Sequence, residues 1–275
     1  MRAQPEGLME PADVWGARWN VCDNTLARQY MEVVCRKQSM VVLAADLNTM
    51  GELNELVDQV GPHIAALKTH VDLVDDWTAS SWAGLCEKAK GHDLLIFEDQ
   101  KFGDIGPISR GQMSGVYDIR SWANIVTAHG ISGPDIVDGL CAGWADVGRE
   151  GGVLLLAQMS SRGNLLDTGY TENVLAAGVN NPGVFGFIGN GSRAEEVAEL
   201  SKMVGGRKLI WTPGVNLAVG DGEMGQRYGD PREAVLAGSD GIIVGSGIYK
   251  SEQKADTAKA YADISWKALL ERSGA

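Results

Sequence analysis

The chain has 275 residues, of which 44% are hydrophobic and 22% are charged, and its formal net charge is −12. This composition is typical of globular proteins, and the length suits one large domain or two small ones. The negative charge argues against nucleic acid or an anionic membrane as a partner, so any anionic ligand must be bound by a local basic site.

The cysteines and the N-terminal sequence indicate the cellular compartment of the protein. Four cysteines are scattered without a C-x-x-C motif, which argues against a structural zinc site and favours a reducing compartment. The N-terminus lacks the apolar segment of a signal peptide, and no apolar run approaches the ~18 residues of a membrane span. We therefore predict a cytoplasmic protein.

Apolar runs alternate with amphipathic segments along most of the chain. Residues 1–23 predict an N-terminal arm with one helical turn, because they are rich in Pro, Gly and acidic residues around two tryptophans. Strands are predicted at 39–47, 63–73, from 94, 124–129, 153–159, 184–188, 208–211 and 241–244. Helices are predicted at 24–36, 50–60, 77–90, 108–117, from 134, around 172–177, 193–204, from 230 and at 251–272, with Asn24 and Ser192 as N-caps.

Eight strand–helix units without a linker predict one α/β domain over residues 24–275, a closed (β/α)₈ barrel (TIM barrel). An open doubly wound sheet is the less favoured alternative. Barrel enzymes place their chemistry at the C-terminal ends of the strands and often bind phosphate after strands seven and eight.

The third predicted strand becomes abruptly charged at its C-terminal end. Four apolar residues, 94–97, are followed by Asp99, Lys101 and Asp104. Asp99 and Lys101 are two apart, so a regular strand would direct both side chains to one face. A lysine between carboxylates relieves their repulsion and offers a proton. A surface ion-pair cluster would explain the same spacing.

Lys68 is a second unusual charge, because it lies in an apolar strand where a buried ammonium must be paired. Its side chain could instead extend to the rim of the barrel.

The segment FEDQKFGDIG, residues 97–106, resembles the FEDRKFADIG signature of eukaryotic-type orotidine 5′-phosphate decarboxylases. The resemblance runs in order from Asn24 to the C-terminus through LKTHVD, TAHG, GPDIVDGL, LAQMSSRG, YTENV, TPGVNL, GDGEMGQRY and DGIIVGSGIY. Those enzymes convert orotidine 5′-phosphate to UMP in pyrimidine biosynthesis without a metal or cofactor. The resemblance therefore implies a carboxy-lyase with no cofactor, acting on a small pyrimidine nucleotide or nucleoside.

The resemblance also implies an alternating catalytic network of Lys68, Asp99, Lys101 and Asp104, with Asp104 supplied by the second subunit of a homodimer. Lys101 would stabilise the carbanion left by loss of carbon dioxide and protonate it. Asp99 would lie against the substrate carboxylate. We expect His70 to be a structural histidine.

Substrate contacts are implied for seven further residues. Without the family resemblance, residues of these types would be interpreted as helix caps or as solvated loop residues. Their implied roles are ribose binding by Asp46, base binding by Ser160, phosphate binding by Gln226, Tyr228 and the turn Gly245–Ser246, and an additional substrate contact by Ile105.

Three positions depart from the family pattern. The family has V-G-R-G after strand eight, where its arginine binds the phosphate, and this chain has Ser246 instead. The family reads D-I-G-N-T, and its threonine reaches a ribose hydroxyl across the dimer, whereas this chain has Ile108. Gln100 replaces the usual arginine, on the opposite face of the strand. Arg227 or another basic residue could replace the missing guanidinium.

The sequence is compatible with three functions. The first is that of a working orotidine 5′-phosphate decarboxylase, and the second is that of a diverged decarboxylase for a related nucleoside or nucleotide with an altered sugar or phosphate. The third possibility is a catalytically silent binding homologue. The intact charge network disfavours this last reading, because clustered charges are costly without a use.

Overall fold

Eight short parallel strands close into a barrel at the centre of the protein, which confirms the predicted (β/α)₈ fold. The structure is a computed structural model and describes residues 9–221 and 225–275. The barrel strands are almost wholly buried, because helices cover their outer faces. They are β1 Val41–Ala44, β2 Ala66–Thr69, β3 Leu95–Phe102, β4 Ile125–Ala128, β5 Gly152–Leu156, β6 Val184–Ile188, β7 Leu209–Thr212 and β10 Gly241–Val244.

A two-stranded antiparallel ribbon, β8 Gly220–Asp221 with β9 Arg227–Tyr228, follows β7. The helices are α1 Pro11–Trp15, α2 Ala17–Val21, α3 Thr25–Lys37, α4 Met50–Val60, α5 Ala79–Gly91, α6 Gly106–Met113, α7 Asp135–Ala145, α8 Thr168–Gly178, α9 Ala194–Val204, α10 Pro231–Ala237, α11 Ser246–Tyr249 and α12 Lys254–Ser273. None of the helices within the two described ranges is both long and apolar enough to cross a membrane.

Helix starts follow local chemistry at some positions but not at others. The Asn24 side chain accepts from Ala27 N, which confirms the predicted cap of α3. The predicted cap of α9 is wrong, because Ser192 Oγ donates to Asn190 Oδ1 and α9 begins after Arg193 without a side-chain cap. The predicted closing helix at 251–272 is the single helix α12, and the short helix α11 before it was not predicted.

The N-terminal arm contains two short helices, α1 and α2, where one helical turn was expected. Val14 and Trp15 are buried in the main core. Arg18 forms an ion pair with the buried Asp240.

The lower part of the barrel is filled by aromatic side chains, which leaves the C-terminal ends of the strands as the open end. Trp211 lies 5.5 Å from Phe97 and 4.8 Å from Tyr30 between ring centroids. Tyr30 donates to the carbonyl of Asp240 at the start of β10. These side chains fill the described part of the barrel near the N-terminal ends of its strands.

Candidate active site

A cavity of about 370 Å³ opens at the C-terminal ends of the barrel strands. Its wall includes apolar side chains such as Phe97, which also packs on Trp211 below. The cavity brings together nine of the eleven predicted site residues: Asp46, Lys68, Asp99, Lys101, Ser160, Gln226, Tyr228, Gly245 and Ser246.

Two ammonium groups converge on one carboxylate inside this cavity. Asp99 Oδ2 lies 2.8 Å from Lys101 Nζ and 3.3 Å from Lys68 Nζ. Lys68 Nζ also lies 3.0 Å from Asp46 Oδ1. Strands β1, β2 and β3 are neighbours in the barrel, which is why residues far apart in sequence meet here.

Burial and pairing set the charges of this group. Burial opposes ionisation of Asp99, but Lys68 and Lys101 outweigh it and lower the pKa of the carboxyl to about 2. Burial would lower the pKa of the Lys68 ammonium, yet Asp99 and Asp46 raise it above its ordinary value. Both groups are therefore charged at neutral pH, and the Lys101 side chain remains 39% exposed.

The backbone of β3 is irregular where it carries these residues. The register between β3 and β4 shifts between Glu98 and Phe102, and Lys101 has a φ of 52°, in the left-handed region. Simple alternation along a regular strand is therefore not what brings Asp99 and Lys101 together. They meet across a bulge, which re-aims a side chain.

His70 also lies beside this network, so its prediction as a purely structural residue is incomplete. Its Nε2 is 3.5 Å from Asp99 Oδ2 and 4.0 Å from Asp46 Oδ1. Burial, followed by the charge of Lys68, lowers the pKa of the imidazole below 6.5. The second predicted strand also ends early, because Val71–Leu73 forms a 3₁₀ turn.

One group of side chains in the described part of the chain has metal-ligand spacing. It consists of His70, Asp72 and Glu98, whose ligand atoms lie within 4.8 Å of one another. The buried Glu98 carboxyl group already accepts from Thr69 Oγ1 at 2.6 Å and from Val71 N. These bonds explain the position of Glu98 without an ion.

Asp104 and Ile105 are the two predicted site residues that do not line the cavity of their own chain. Asp104 Oδ1 accepts from Ile105 N at 2.7 Å, and both residues are exposed. Helix α6 follows directly and packs closely on α7, where a side chain on Gly139 would collide with the Gly106 backbone. Asp104 is thereby held at the protein surface.

The end of the cavity after β7 and β10 is polar but carries no cation among the described residues that line it. Gln226, Tyr228, Asn216, Ser246 and Tyr249 lie there, whereas the two lining lysines belong to the Asp99 network. The expectation that Arg227 could replace the missing arginine is not met. Its Nε donates to Ser160 O at 3.3 Å, and its side chain lines a separate cavity of about 530 Å³.

Thr127, Asn216 and Tyr249 are among the residues that line the cavity but were not predicted from the sequence. All three lie within segments that carry the family resemblance, TAHG, TPGVNL and DGIIVGSGIY. Their positions just inside or after strands β4, β7 and β10 were the available signal, because barrel sites form at strand ends.

The chain is similar to known proteins of one family. Residues 39–261 match the family described as "Orotidine 5'-phosphate decarboxylase / HUMPS family". The chain is 43% identical over 254 residues to the orotidine 5′-phosphate decarboxylase of Rhizomucor pusillus, covering 90% of this chain and 93% of that one. It is 42% identical to the Rhizopus oryzae protein of the same name, covering 90% and 92%.

Among solved structures, orotidine 5′-phosphate decarboxylase from Pyrococcus horikoshii OT3 superposes with a TM-score of 0.67 at 25% identity, covering 82% of this chain and 99% of that one. The Methanocaldococcus jannaschii enzyme, in complex with the inhibitor BMP, has a TM-score of 0.65 at 19% identity and covers 82% and 98%, which supports the fold alone. The chain therefore belongs to the orotidine 5′-phosphate decarboxylase / HUMPS family and is a carboxy-lyase.

Proposed function

We propose that this protein decarboxylates orotidine 5′-phosphate to UMP, with Lys101 as the proton donor. When the bond to the carboxylate breaks and carbon dioxide leaves, an electron pair remains on a ring carbon. A fixed cation beside that carbon lowers the energy of the transition state, and the same ammonium can then supply the proton. The Lys101–Asp99 ion pair of 2.8 Å, open to the cavity, is the observation that carries this proposal.

Asp99 and Lys68 have supporting roles in this reaction. Lys68 keeps the buried Asp99 ionised, and Asp99 fixes the Lys101 ammonium before substrate arrives. We propose that the Asp99 carboxylate lies against the substrate carboxylate, so that the repulsion between them is relieved as carbon dioxide departs. The network supplies both charge and proton, so the proposed reaction requires neither a metal nor a cofactor.

The remaining cavity residues suit a nucleotide. In this proposal Asp46 binds the ribose hydroxyls and Ser160 the base. Gln226, Tyr228 and the turn Gly245–Ser246 bind the phosphate. Gln226 Nε2 lies 3.4 Å from Ser160 Oγ, so the base-binding and phosphate-binding loops are joined to each other. Barrel enzymes commonly bind phosphate at this end.

We further propose that the protein acts as a homodimer, in which Asp104 and Ile105 complete the site of the partner subunit. Both residues face outward from their own chain, and Ile105 is 56% exposed. Ser132 Oγ donates to Asp104 O, which brings the exposed Ile131 near Asp104, and Ile108 is also exposed. Several exposed apolar side chains close together are typical of a protein–protein contact.

The test is release of carbon dioxide from orotidine 5′-phosphate and from orotidine, measured side by side with and without EDTA. We expect UMP to form from the nucleotide at the same rate in both conditions. Loss of activity in EDTA, with recovery on adding a divalent metal, would contradict the role given to Lys101.

A second function, decarboxylation of a related pyrimidine nucleoside or of a nucleotide with an altered phosphate, is favoured by one observation. The described residues at the phosphate end of the cavity present hydroxyl and amide groups without a cation. A kcat/KM for orotidine that equals or exceeds that for orotidine 5′-phosphate would favour this second function.

A further inference from the structure

The bulge in β3 raises a structural problem at the centre of the network. Where the register shifts between Glu98 and Phe102, the regular hydrogen bonds between β3 and β4 are interrupted. Lys101 lies in this interval with a φ of 52°, a conformation that residues with a side chain seldom adopt. Its backbone N–H needs a partner other than the ladder, and its conformation must be held by the surroundings.

The hydroxyl of Thr127 provides that partner. Lys101 N donates to Thr127 Oγ1 at 2.9 Å. The same Oγ1 donates its only proton to Asp99 Oδ1 at 2.8 Å. Thr127 lies in the neighbouring strand β4 and is only 1% exposed, so its hydroxyl is largely shielded from water.

This arrangement divides the two oxygens of Asp99 between different partners. Oδ2 lies within 3.5 Å of Lys101, Lys68 and His70, whereas Oδ1 is bound by Thr127. A carboxylate held on both oxygens cannot rotate freely about its last side-chain bond. The Thr127 hydroxyl therefore fixes the carboxylate and, through the backbone N–H, the residue that carries the ammonium.

We propose that Thr127 is a positioning residue of the decarboxylase, whose hydroxyl holds the bulge at Lys101 and orients Asp99 toward the Lys101 ammonium. The proposal rests on the function proposed above for Lys101 and Asp99. Threonine suits the position because its branched side chain has a restricted χ1 in a strand, which keeps the hydroxyl directed across to β3. Without the hydroxyl, Lys101 N and Asp99 Oδ1 would each lose a buried partner.

The test compares Thr127→Val, which removes the hydroxyl at nearly the same shape, with Thr127→Ser, which keeps it. We expect Thr127→Val to lower kcat by about 10- to 100-fold with KM changed less than about threefold, since a displacement of the order of 1 Å can have this effect on kcat. Thr127→Ser should recover most of the lost kcat. Thr212→Val is the matched control, because Thr212 is also a buried strand threonine, with its hydroxyl bonded to Ser239.

A second measurement does not depend on activity. Hydrogen exchange at the Lys101 amide should be slow in wild type and in Thr127→Ser, and faster in Thr127→Val, with the unfolding midpoint followed in all variants. If wild type decarboxylates neither pyrimidine substrate but the exchange pattern holds, the proposed function fails and the positioning of Lys101 stands. If wild type is active and Thr127→Val keeps its kcat within about twofold, the inference is wrong. A loss of kcat as large in Thr212→Val would also overturn it.

Discussion

Asp99 is the side chain on which the charges of the cavity converge. Its carboxylate contacts two ammonium groups and a hydroxyl, and the cations lower its pKa to about 2 although it is buried. Because its partners are already in place, the site need not reorganise when charge moves in the reaction. A change at the part-exposed Lys101 should therefore alter catalysis far more than folding.

We expect Lys101→Ala to reduce kcat by about 10²- to 10⁴-fold while leaving the unfolding midpoint nearly unchanged. The side chain is 39% exposed, so its removal opens no cavity in the core. Asp99→Ala should be equally inactive, but it should bind orotidine 5′-phosphate more tightly, because a carboxylate facing the substrate carboxylate is gone. Titration calorimetry and carbon dioxide release distinguish these effects. Weaker binding by Asp99→Ala would contradict the position proposed for Asp99.

Ser246 tests how much the phosphate end contributes. A charge-assisted bond from arginine to phosphate contributes about 1.5–3 kcal/mol. At ~1.4 kcal/mol per decade, Ser246→Arg should raise kcat/KM for orotidine 5′-phosphate by about 10- to 150-fold. Orotidine, which has no phosphate, is the matched control and should gain nothing.

The Ser246→Arg result separates the two candidate functions when Ile108→Thr and the double variant are measured beside it. If the protein has moved to another substrate, Ser246→Arg should improve orotidine 5′-phosphate turnover little and should harm the native reaction. If the wild type has the same kcat/KM for orotidine 5′-phosphate as Ser246→Arg, the serine does not weaken phosphate binding in this site.

At the scale of elements, the sequence predicts strands and helices well where Gly, Pro or charged residues bound an apolar run. Val184–Ile188, Gly241–Val244 and Met50–Val60 have the predicted limits. The second strand was predicted too long, because its end is set by a long-range bond from Val71 N to Glu98 that no local pattern encodes.

The same reasoning explains which parts of the candidate site could be predicted. Lys68, Asp99 and Lys101 could be predicted because they are charged residues in apolar strands. They also lie in motifs that resemble those of a known family. The contact of Thr127 with Asp99 and the direction of Arg227 depend on strand register and on a ribbon after β7, which sequence spacing does not specify.

Glu98 connects strands β2 and β3, and its protonation predicts how the stability of the protein depends on pH. It lies in β3, is fully buried and accepts from Thr69 Oγ1 of β2 and from Val71 N. Burial raises the pKa of its carboxyl from 4.5 to about 8. Between these values the folded protein keeps a proton that the unfolded chain has lost, so stability should fall as pH rises from about 5 to 8, by at most ~1.4 kcal/mol per pH unit.

Glu98→Gln should flatten this dependence, because the amide keeps the shape of the acid and does not titrate. Urea unfolding of wild type and Glu98→Gln at several values between pH 5 and 8.5 is the measurement. Asp99 does not contribute in this range, since its lowered pKa of about 2 affects stability only in more acidic solution. A slope that is unchanged in Glu98→Gln would show that another group carries the proton.

At the scale of the whole molecule, one chain presents an incomplete version of the proposed site. Lys68, Asp99 and Lys101 line the cavity, while Asp104 is held at the surface beside the exposed Ile105 and Ile108. In the proposed dimer, two copies related by a twofold axis would use this same patch on both subunits, and each Asp104 would reach the other copy's cavity.

This arrangement predicts complementation between two inactive variants. Lys101→Ala and Asp104→Ala homodimers should each be inactive if both residues are needed. When equal amounts are unfolded together and refolded, half of the dimers are mixed, and each mixed dimer contains one site with an intact Lys101 and the partner's intact Asp104. Activity should therefore return to about a quarter of the wild-type level.

The matched control is Lys101→Ala refolded with Asp99→Ala. This mixture should stay inactive, because each subunit then carries a substitution in its own cavity. No recovery in the first mixture, or a fully active monomer in sedimentation, would place Asp104 outside the partner's site.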